Sequence, residues 1–368
     1  MKSLDVILVG CLFIVTPLSI TEIQSPGGHA ADIELRQLFA IGGDTGTDGV
    51  FFGNIGSLVT IDDAGRIFVG EKQSLKIYAF TDEGDLIREI GQEGEAPGEF
   101  KSLQAIHTGP GDTLYTFDSL LRRISAFAPG SLELAYAFTV SNDSTGNYPS
   151  GFFGATDSGF LVVFEESLQG TDSVRSVHAK IVDWEGGVIQ NPSLRLPAIE
   201  WITLKGPIRE MGTHMPFGRY PIFRLGPVEQ IYAGSTGTID IAIMTANGMS
   251  RGHITHPYRG APVTNRDIDE YVKNYWGDLP NQIRRAMRYE SRPAYSTFQV
   301  DEKGRTWVRL TSADAEAETS RWLVLNAESR VIGELTLPSS IIIEAVTSER
   351  AYATVDNFSV VVYEIDET

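Results

Sequence analysis

The segment DDAGRIFV at Asp62–Val69 has a near-copy, DEKGRTWV, at Asp301–Val308. In both, a strand leads into a tight turn of Asp and Gly, and a second strand rich in β-branched or aromatic residues follows. TDSGFLVV at Thr156–Val163 is a third copy, and TGPGDTLY at Thr108–Tyr115 is a looser fourth. The chain is therefore built from repeated units of short strands.

The interval between the repeats indicates the architecture. The strands Ile77–Phe80 and Ile124–Phe127 correspond to each other and lie 47 residues apart. A period in the forties with four short strands per unit is typical of a β-propeller. The spacing predicts blades near residues 54–91, 101–140, 151–191, 222–257, 293–337 and 341–365.

The last predicted blade has only three strands of its own. Leu35–Ile41 aligns with Leu86–Ile90, the outer strand of the first blade. We therefore expect Leu35–Ile41 to pair with Val360–Glu364, which joins the two ends of the chain and leaves no radial edge unpaired. The predicted fold is an all-β, six-bladed β-propeller of four-stranded antiparallel blades, one domain over residues 31–368.

The units resemble NHL-type repeats of six-bladed propellers. The best match runs from Gly65 to Phe100 and includes the tail IGQEGEAPGEF at Ile90–Phe100. The resemblance is clear in the first two blades and partial in the fifth. It implies the fold but not a function, because such propellers include binding proteins, lyases, lactonases and scaffolds.

The first 30 residues have the pattern of an export signal. Val6–Ile20 is almost entirely apolar and follows Lys2, but it is shorter than the ~20 residues that a transmembrane helix needs. Gly28 and Ala30 fit the small-residue rule of signal peptidase and predict cleavage after Ala30. We expect a periplasmic or extracellular mature chain with no transmembrane domain.

Two alternatives to simple cleavage remain. LVGC at Leu8–Cys11 resembles a bacterial lipobox, which would attach a lipid to Cys11, although the apolar run continues beyond that residue. The segment could also stay uncleaved as a membrane anchor. After cleavage at Ala30 the mature chain would have no cysteine, which excludes disulfides, thiol nucleophiles and thiolate metal sites.

The charge balance excludes one class of partner. Lys and Arg total 30 and Asp and Glu total 48, which gives a net charge of -18. Such a chain repels phosphate backbones, so nucleic acid is not an expected partner, and anionic membrane surfaces are disfavoured for the same reason.

The long insertions all map to one face of the predicted propeller. They lie near residues 165–176, 192–221, 258–292 and 312–319, whereas the turns at the opposite ends of the strands are short. We call these the loop-rich face and the short-turn face. Insertions concentrated on one face are typical of a binding face, although tolerated drift of surface loops is the alternative.

The insertion at 258–292, between blades four and five, has a helical pattern. Thr264 can cap a first helix, with Asp267 in its first turn. A second helical run covers Asn281–Glu290. An apolar stripe is expected to pack on the top of the propeller, and it comprises Ile268, Tyr271, Val272, Tyr275 and Trp276.

An arginine-rich edge of this insertion is the main candidate for ligand recognition, since arginine binds carboxylate or phosphate groups bidentately. The alternative is a helical clip with solvated arginines. His107, in an innermost strand, could line the channel or be a structural histidine. The candidate ligand-binding residues are Arg284, Arg285, Arg288, Trp276, His107 and Arg122.

The sequence assigns no catalytic residue, metal site or cofactor. We expect an exported, non-catalytic propeller that binds an unidentified ligand, peptide or protein on its loop-rich face. One alternative is a lyase or lactonase that uses a divalent metal in the central channel. Another is a structural subunit of a cell-envelope complex. Converging carboxylates or imidazoles from three or more blades would favour the enzyme.

Overall fold

Six blades of four strands form the fold, as the repeat spacing predicts. The computed structural model describes residues 31–43, 49–167, 175–206, 209–314 and 317–367. The predicted export signal at residues 1–30 lies outside the described residues. Among the described helices, none is long and apolar enough to cross a membrane.

The strands follow chain order from the channel outward in blades one to five, whereas in blade six the first strand of the chain is the outermost. β1 is Ala31–Gly42 and belongs to blade six. Blade one contains β2 (Val59–Ile61), β3 (Ile67–Glu71), β4 (Lys76–Phe80) and β5 (Leu86–Ile90). Blade two contains β6 (Leu103–Gly109), β7 (Thr113–Asp118), β8 (Arg123–Phe127) and β9 (Leu134–Thr139). Blade three contains β10 (Tyr148–Thr156), β11 (Gly159–Glu165), β12 (Ser176–Val182) and β13 (Val188–Pro197).

A hairpin of β14 (Trp201–Lys205) and β15 (Glu210–His214) precedes blade four. Blade four contains β16 (Pro221–Leu225), β17 (Gln230–Ser235), β18 (Ile239–Thr245) and β19 (Ser250–His256). Two helices follow, α1 (Asn265–Val272) and α2 (Leu279–Ala286). Blade five contains β20 (Tyr295–Val300), β21 (Thr306–Leu310), β22 (Thr319–Leu325) and β23 (Val331–Pro338). Blade six contains β24 (Ile341–Val346), β25 (Arg350–Val355) and β26 (Ser359–Glu367).

The repeated Asp and Gly turn is held together by its own aspartate. In blade five, the buried Asp301 accepts hydrogen bonds from the backbone N of Lys303 at 3.0 Å and of Arg305 at 2.9 Å. Trp307 donates its Nε1–H to the same carboxylate at 3.1 Å, and the Arg305 guanidinium pairs with it at 2.5 Å. One carboxylate therefore stabilises both the turn and the strand that follows.

Blade one repeats this arrangement. Asp62 accepts from the backbone N of Arg66 at 2.8 Å and from its Nε at 2.6 Å. Gly65 and Gly304 close the two turns with φ of +82° and +75°, a conformation that glycine adopts without the steric cost of a side chain. The Asp and Gly motif that identifies the repeat therefore stabilises the turn.

The chain ends close the ring. β1 pairs antiparallel with β26, with Leu35 opposite Ile365 and Ile41 opposite Val360, in agreement with the expected pairing. The start of β1 also pairs in parallel with β23 of blade five, with Ala31 opposite Gly333. β1 therefore joins blades five and six into one sheet, which the sequence did not indicate.

Apolar side chains fill the spaces between neighbouring blades. Phe68 and Ile77 of blade one pack with Ile106 and Leu114 of blade two. Blades five and six are joined in the same way, and their shared cluster includes the fully buried Trp307 and Trp322. These interfaces leave the innermost strands around a central channel.

Two insertions form a small unit, which we call the cap: the β14–β15 hairpin together with α1 and α2. The capping box of α1 joins Thr264 and Asp267, as expected. Val272, Leu279 and Ile283 are buried against Ile202 and Leu204 of the hairpin. The expectation that the apolar stripe of the helices packs on the top of the propeller is therefore wrong. The β14–β15 hairpin covers that stripe instead.

The boundaries of the cap also differ from the expected ones. β13 continues to Pro197, so the first insertion begins later than residue 192. α1 ends at Val272, and Trp276 lies beyond it with 61% of its surface exposed, outside the buried stripe. α2 begins at Leu279 rather than Asn281 and ends at Ala286 rather than Glu290, with Pro280 in its first turn, where a missing N–H costs nothing.

Candidate functional site in the central channel

A cavity of about 560 Å³ occupies the central channel. All six innermost strands contribute to its lining. Apolar walls include Phe152 and Phe153, and polar groups converge from several blades. This volume lies within the range of about 300–1,000 Å³ that is usual for small-molecule sites.

One register position supplies a layer of channel side chains. Each of these residues lies opposite an aromatic residue on the second strand of its own blade. The pairs are Thr60 with Phe68, His107 with Tyr115, Arg224 with Tyr232 and Gln299 with Trp307. In four of the six blades the repeat thus places a channel side chain at the same register position, and the residue found there differs from blade to blade.

Arg224 is the cation of this layer. Its Nε donates to Oε1 of Gln299 at 2.8 Å, Nη1 to the carbonyl of Phe223 at 2.8 Å, and Nη2 to Oγ1 of Thr297 at 3.2 Å. All three acceptors are neutral. Burial lowers the pKa of Arg224 from its usual value, but guanidinium groups remain protonated at neutral pH.

Glu344 on β24 faces the same cavity from blade six. Oγ1 of Thr354 donates to its Oε1 at 3.1 Å. Burial raises the pKa of Glu344 to about 7, and the attraction of Arg224 offsets this only in part. Among the described residues, no carboxylate forms an ion pair with Arg224, so its charge is only partly balanced.

His107 lies in the channel, as its position in an innermost strand suggested. Its Nε2 is 3.3 Å from the carbonyl oxygen of Phe152, and its ring packs edge-on against the Phe152 ring at 5.3 Å. Burial, helped by the charge of Arg224, lowers the pKa of His107 to about 4. The imidazole is therefore neutral at physiological pH.

The short-turn end of the channel opens through a second cavity of about 440 Å³ with acidic walls. Two of its carboxylates link neighbouring blades. Asp112 accepts from the backbone N of Asp63 at 2.9 Å, and Glu229 accepts from the backbone N of Asp157. Among the described residues, no three His, Cys, Asp or Glu side chains lie close enough together to hold a metal ion.

The cap arginines lie away from the cavity lining. Arg284 pairs with Asp269, and Arg285 lies 3.3 Å from Asp278, so both are exposed and each has an acidic neighbour. Arg288 is also exposed. Of the residues predicted from the sequence, His107 is the one that lines the channel cavity.

Arg122 lies in the loop between β7 and β8, on the loop-rich face. Its Nη1 donates to Oδ1 of Asn142 at 2.9 Å, and its side chain is exposed. It does not line the channel cavity, and it stays a prediction as a ligand-binding residue.

Sequence reasoning missed Arg224. The signal was present, because Tyr232 aligns with Phe68 and Trp307, and each of these aromatics lies opposite a channel residue. Extending that alignment to the first strand of blade four would have placed Arg224 in the channel.

Comparisons with known proteins support the fold. A family model named DUF5128 and described as a 6-bladed beta-propeller matches residues 45–139. No curated protein shows significant sequence similarity to the chain.

Two solved structures are similar to the whole molecule. The first is a member of the DUF4221 family from Bacteroides vulgatus, with a TM-score of 0.53 and 12% identity, covering 92% of this chain and 100% of that one. The second is an exported-protein candidate from Bacteroides fragilis, with a TM-score of 0.52 and 11% identity, covering 92% and 96%. At these identities the likeness shows the propeller fold alone.

Proposed function

We propose that this chain is an exported, non-catalytic binding propeller that holds a small organic carboxylate in its central channel at Arg224. The observation that carries the proposal is the set of hydrogen bonds made by Arg224, whose three acceptors are all neutral. A charge removed from water is costly unless an opposite charge compensates it. An anionic ligand supplies that compensation.

The rest of the cavity supports a carboxylate with an apolar body. Arginine presents a planar fork that matches a carboxylate bidentately. Phe152 and Phe153 offer apolar walls in the same cavity, and Thr60 and Gln299 line it as well. A monocarboxylate with an aromatic or aliphatic body suits this mixture better than a highly charged ligand.

Export is part of the proposal. It is supported by the apolar segment and small residues within positions 1–30 and by the shared fold with an exported-protein candidate. Cleavage after Ala30, periplasmic or extracellular location and the NHL-type character of the repeats stay predictions. N-terminal sequencing of exported material tests the cleavage, and a lipid on Cys11 would contradict it.

The cap offers a competing site for the same chemistry. Arg284, Arg285 and Arg288 could also recognise an anion, but Arg284 and Arg285 already have acidic neighbours within the cap. Among the described residues, no specific contact favours either of the two alternatives. These are a metal-dependent lyase or lactonase and a structural subunit of an envelope complex. We therefore favour the channel.

Calorimetric titration with benzoate, 3-phenylpropionate, succinate and citrate tests the proposal, with benzamide as the neutral control. We expect a monocarboxylate to bind and benzamide not to bind. Arg224→Gln should weaken binding by about tenfold to a hundredfold, the range for a lost hydrogen bond to a charged group. The matched control, the triple variant R284Q/R285Q/R288Q, should bind normally. Normal binding by Arg224→Gln would refute the channel site, and loss of binding in the triple variant would move it to the cap.

A further inference from the structure

The channel holds a second ionisable group whose role the binding of a carboxylate does not explain. Glu344 and Arg224 come from blades six and four and line one cavity, yet they form no ion pair. Two opposite charges that face a shared space without touching leave that space for a ligand. A carboxylate placed there meets an attractive guanidinium and a repulsive carboxylate.

Resting on the proposed function, we propose that Glu344 makes binding proton-coupled: the ligand enters as an anion while one proton from solvent is taken up by the Glu344 carboxyl. The proton removes the repulsion between the two carboxylates and leaves the full attraction of Arg224 to the ligand. No covalent bond forms or breaks.

The surroundings of Glu344 favour this exchange. Hydroxyl groups of Thr354 and Ser57 contact its carboxyl, and neither can take the proton at neutral pH. Burial already raises the pKa of Glu344 to about 7, so protonation at neutral pH costs little. A ligand carboxylate nearby raises that pKa further, because like charges disfavour ionisation.

Two further carboxylates line the same cavity, Asp63 and Glu302, and like the ligand they disfavour the ionised Glu344. The cations that face this part of the channel act in the opposite direction. They are Arg224 on β16, Arg309 on β21 and Lys72 in the turn after β3. As permanent cations at neutral pH, they favour the ionised Glu344, but they attract the ligand as well. His107, which faces Arg224 from β6, has a pKa of about 4 and stays neutral over the relevant range.

Binding should strengthen as the pH falls. A bound anion raises the pKa of Glu344, so binding takes up protons at pH values near and above 7. Affinity should therefore be highest near pH 6 and fall as the pH rises towards 8.5. Each unit by which the ligand raises that pKa corresponds to about a tenfold change in affinity.

Calorimetry in buffers of different ionisation enthalpy tests the inference with the panel carboxylate that binds most tightly. The wild type should take up a fraction of one proton on binding at pH 7.5. Glu344→Gln should bind without proton uptake and with flat affinity between pH 6 and 8.5. The control Glu328→Gln, which changes an exposed carboxylate that does not line the channel cavity, should behave like the wild type.

The outcomes separate the two proposals. Tight binding by the wild type without proton uptake refutes the role of Glu344 and leaves the carboxylate site standing. Proton uptake that persists in Glu344→Gln places the proton elsewhere and also refutes it. If the wild type binds no carboxylate at any pH, both proposals fail. The wild-type proton count decides the matter even if Glu344→Gln does not fold.

Discussion

Blade one and blade four share a strand plan but use it differently. Blade one carries the repeated turn, in which Asp62 holds Arg66, and it gives the channel the neutral Thr60. Blade four replaces that turn with a short helical turn at Pro227–Glu229 and gives the channel Arg224 at the same register position. Repeated residues therefore stabilise the fold, whereas residues that depart from the repeat form the candidate site.

Removing the closing strand should have the largest effect. Deletion of residues 31–42 removes β1 and exposes the edges of β26 and β23. We expect a loss comparable with the whole stability of a domain, about 5–15 kcal/mol, or aggregation. Thermal melting and size-exclusion chromatography measure it. A truncated chain that melts like the full one would contradict closure by β1.

Replacing an aspartate of the repeated turn should have the next largest effect on stability. The loss should be larger in blade five than in blade one. The Arg305 side chain is 8% exposed, and Asp301 also holds Trp307. Asp301→Ala should cost about 3–5 kcal/mol because it leaves a buried charge uncompensated.

The matched variant Asp62→Ala should cost less, about 1–3 kcal/mol, because the Arg66 side chain is 19% exposed and can be hydrated. Urea denaturation of the two variants gives the difference in the free energy of unfolding. Equal losses would show that the two copies of the motif are equivalent.

His107 is a channel residue and not part of the repeated turn, but its burial should still make the stability of the fold depend on pH. Its folded pKa of about 4 lies below the usual histidine pKa of 6.5, so the unfolded chain binds more protons between these values. Stability should fall by about 3 kcal/mol as the pH drops from 6.5 to 4. His107→Gln should lose that part of the slope in urea denaturation at several pH values. An identical slope in the variant would mean that other groups cause it.

The fold could be predicted from the sequence because its signals recur. The Asp and Gly turns return at a regular interval, and the missing strand of blade six had a visible counterpart in Leu35–Ile41. The parallel pairing of β1 with β23 left no such signal, because it depends on where the ring brings two strand ends together.

The site was harder to predict because each of its residues occurs once. His107 was found because it lies in a recognisable innermost strand. Arg224 and Glu344 can be recognised as parts of one site only when the positions of their blades around the channel are known. The partner of the cap helices was missed for a similar reason. A hairpin distant in sequence covers their apolar side, and helical periodicity shows a buried face without showing what buries it.

The cap variants should have the smallest effect. R284Q/R285Q/R288Q removes exposed arginines, two of which pair with exposed acidic residues. Exposed ion pairs contribute little to stability, so the melting temperature should be nearly unchanged. A large fall in differential scanning fluorimetry would show that these arginines hold the cap together.

The most direct test compares Arg224→Gln and Asp62→Ala in two assays, carboxylate titration and urea denaturation. We expect Arg224→Gln to weaken binding by about tenfold to a hundredfold. Its free energy of unfolding should stay within about 1 kcal/mol of the wild type, because removing an uncompensated buried charge relieves a desolvation cost that offsets the loss of its hydrogen bonds. Asp62→Ala should lose stability and, while folded, bind normally. A variant at Arg224 that unfolds readily yet binds normally while folded would contradict the division between repeated residues that carry the fold and departures that carry the site.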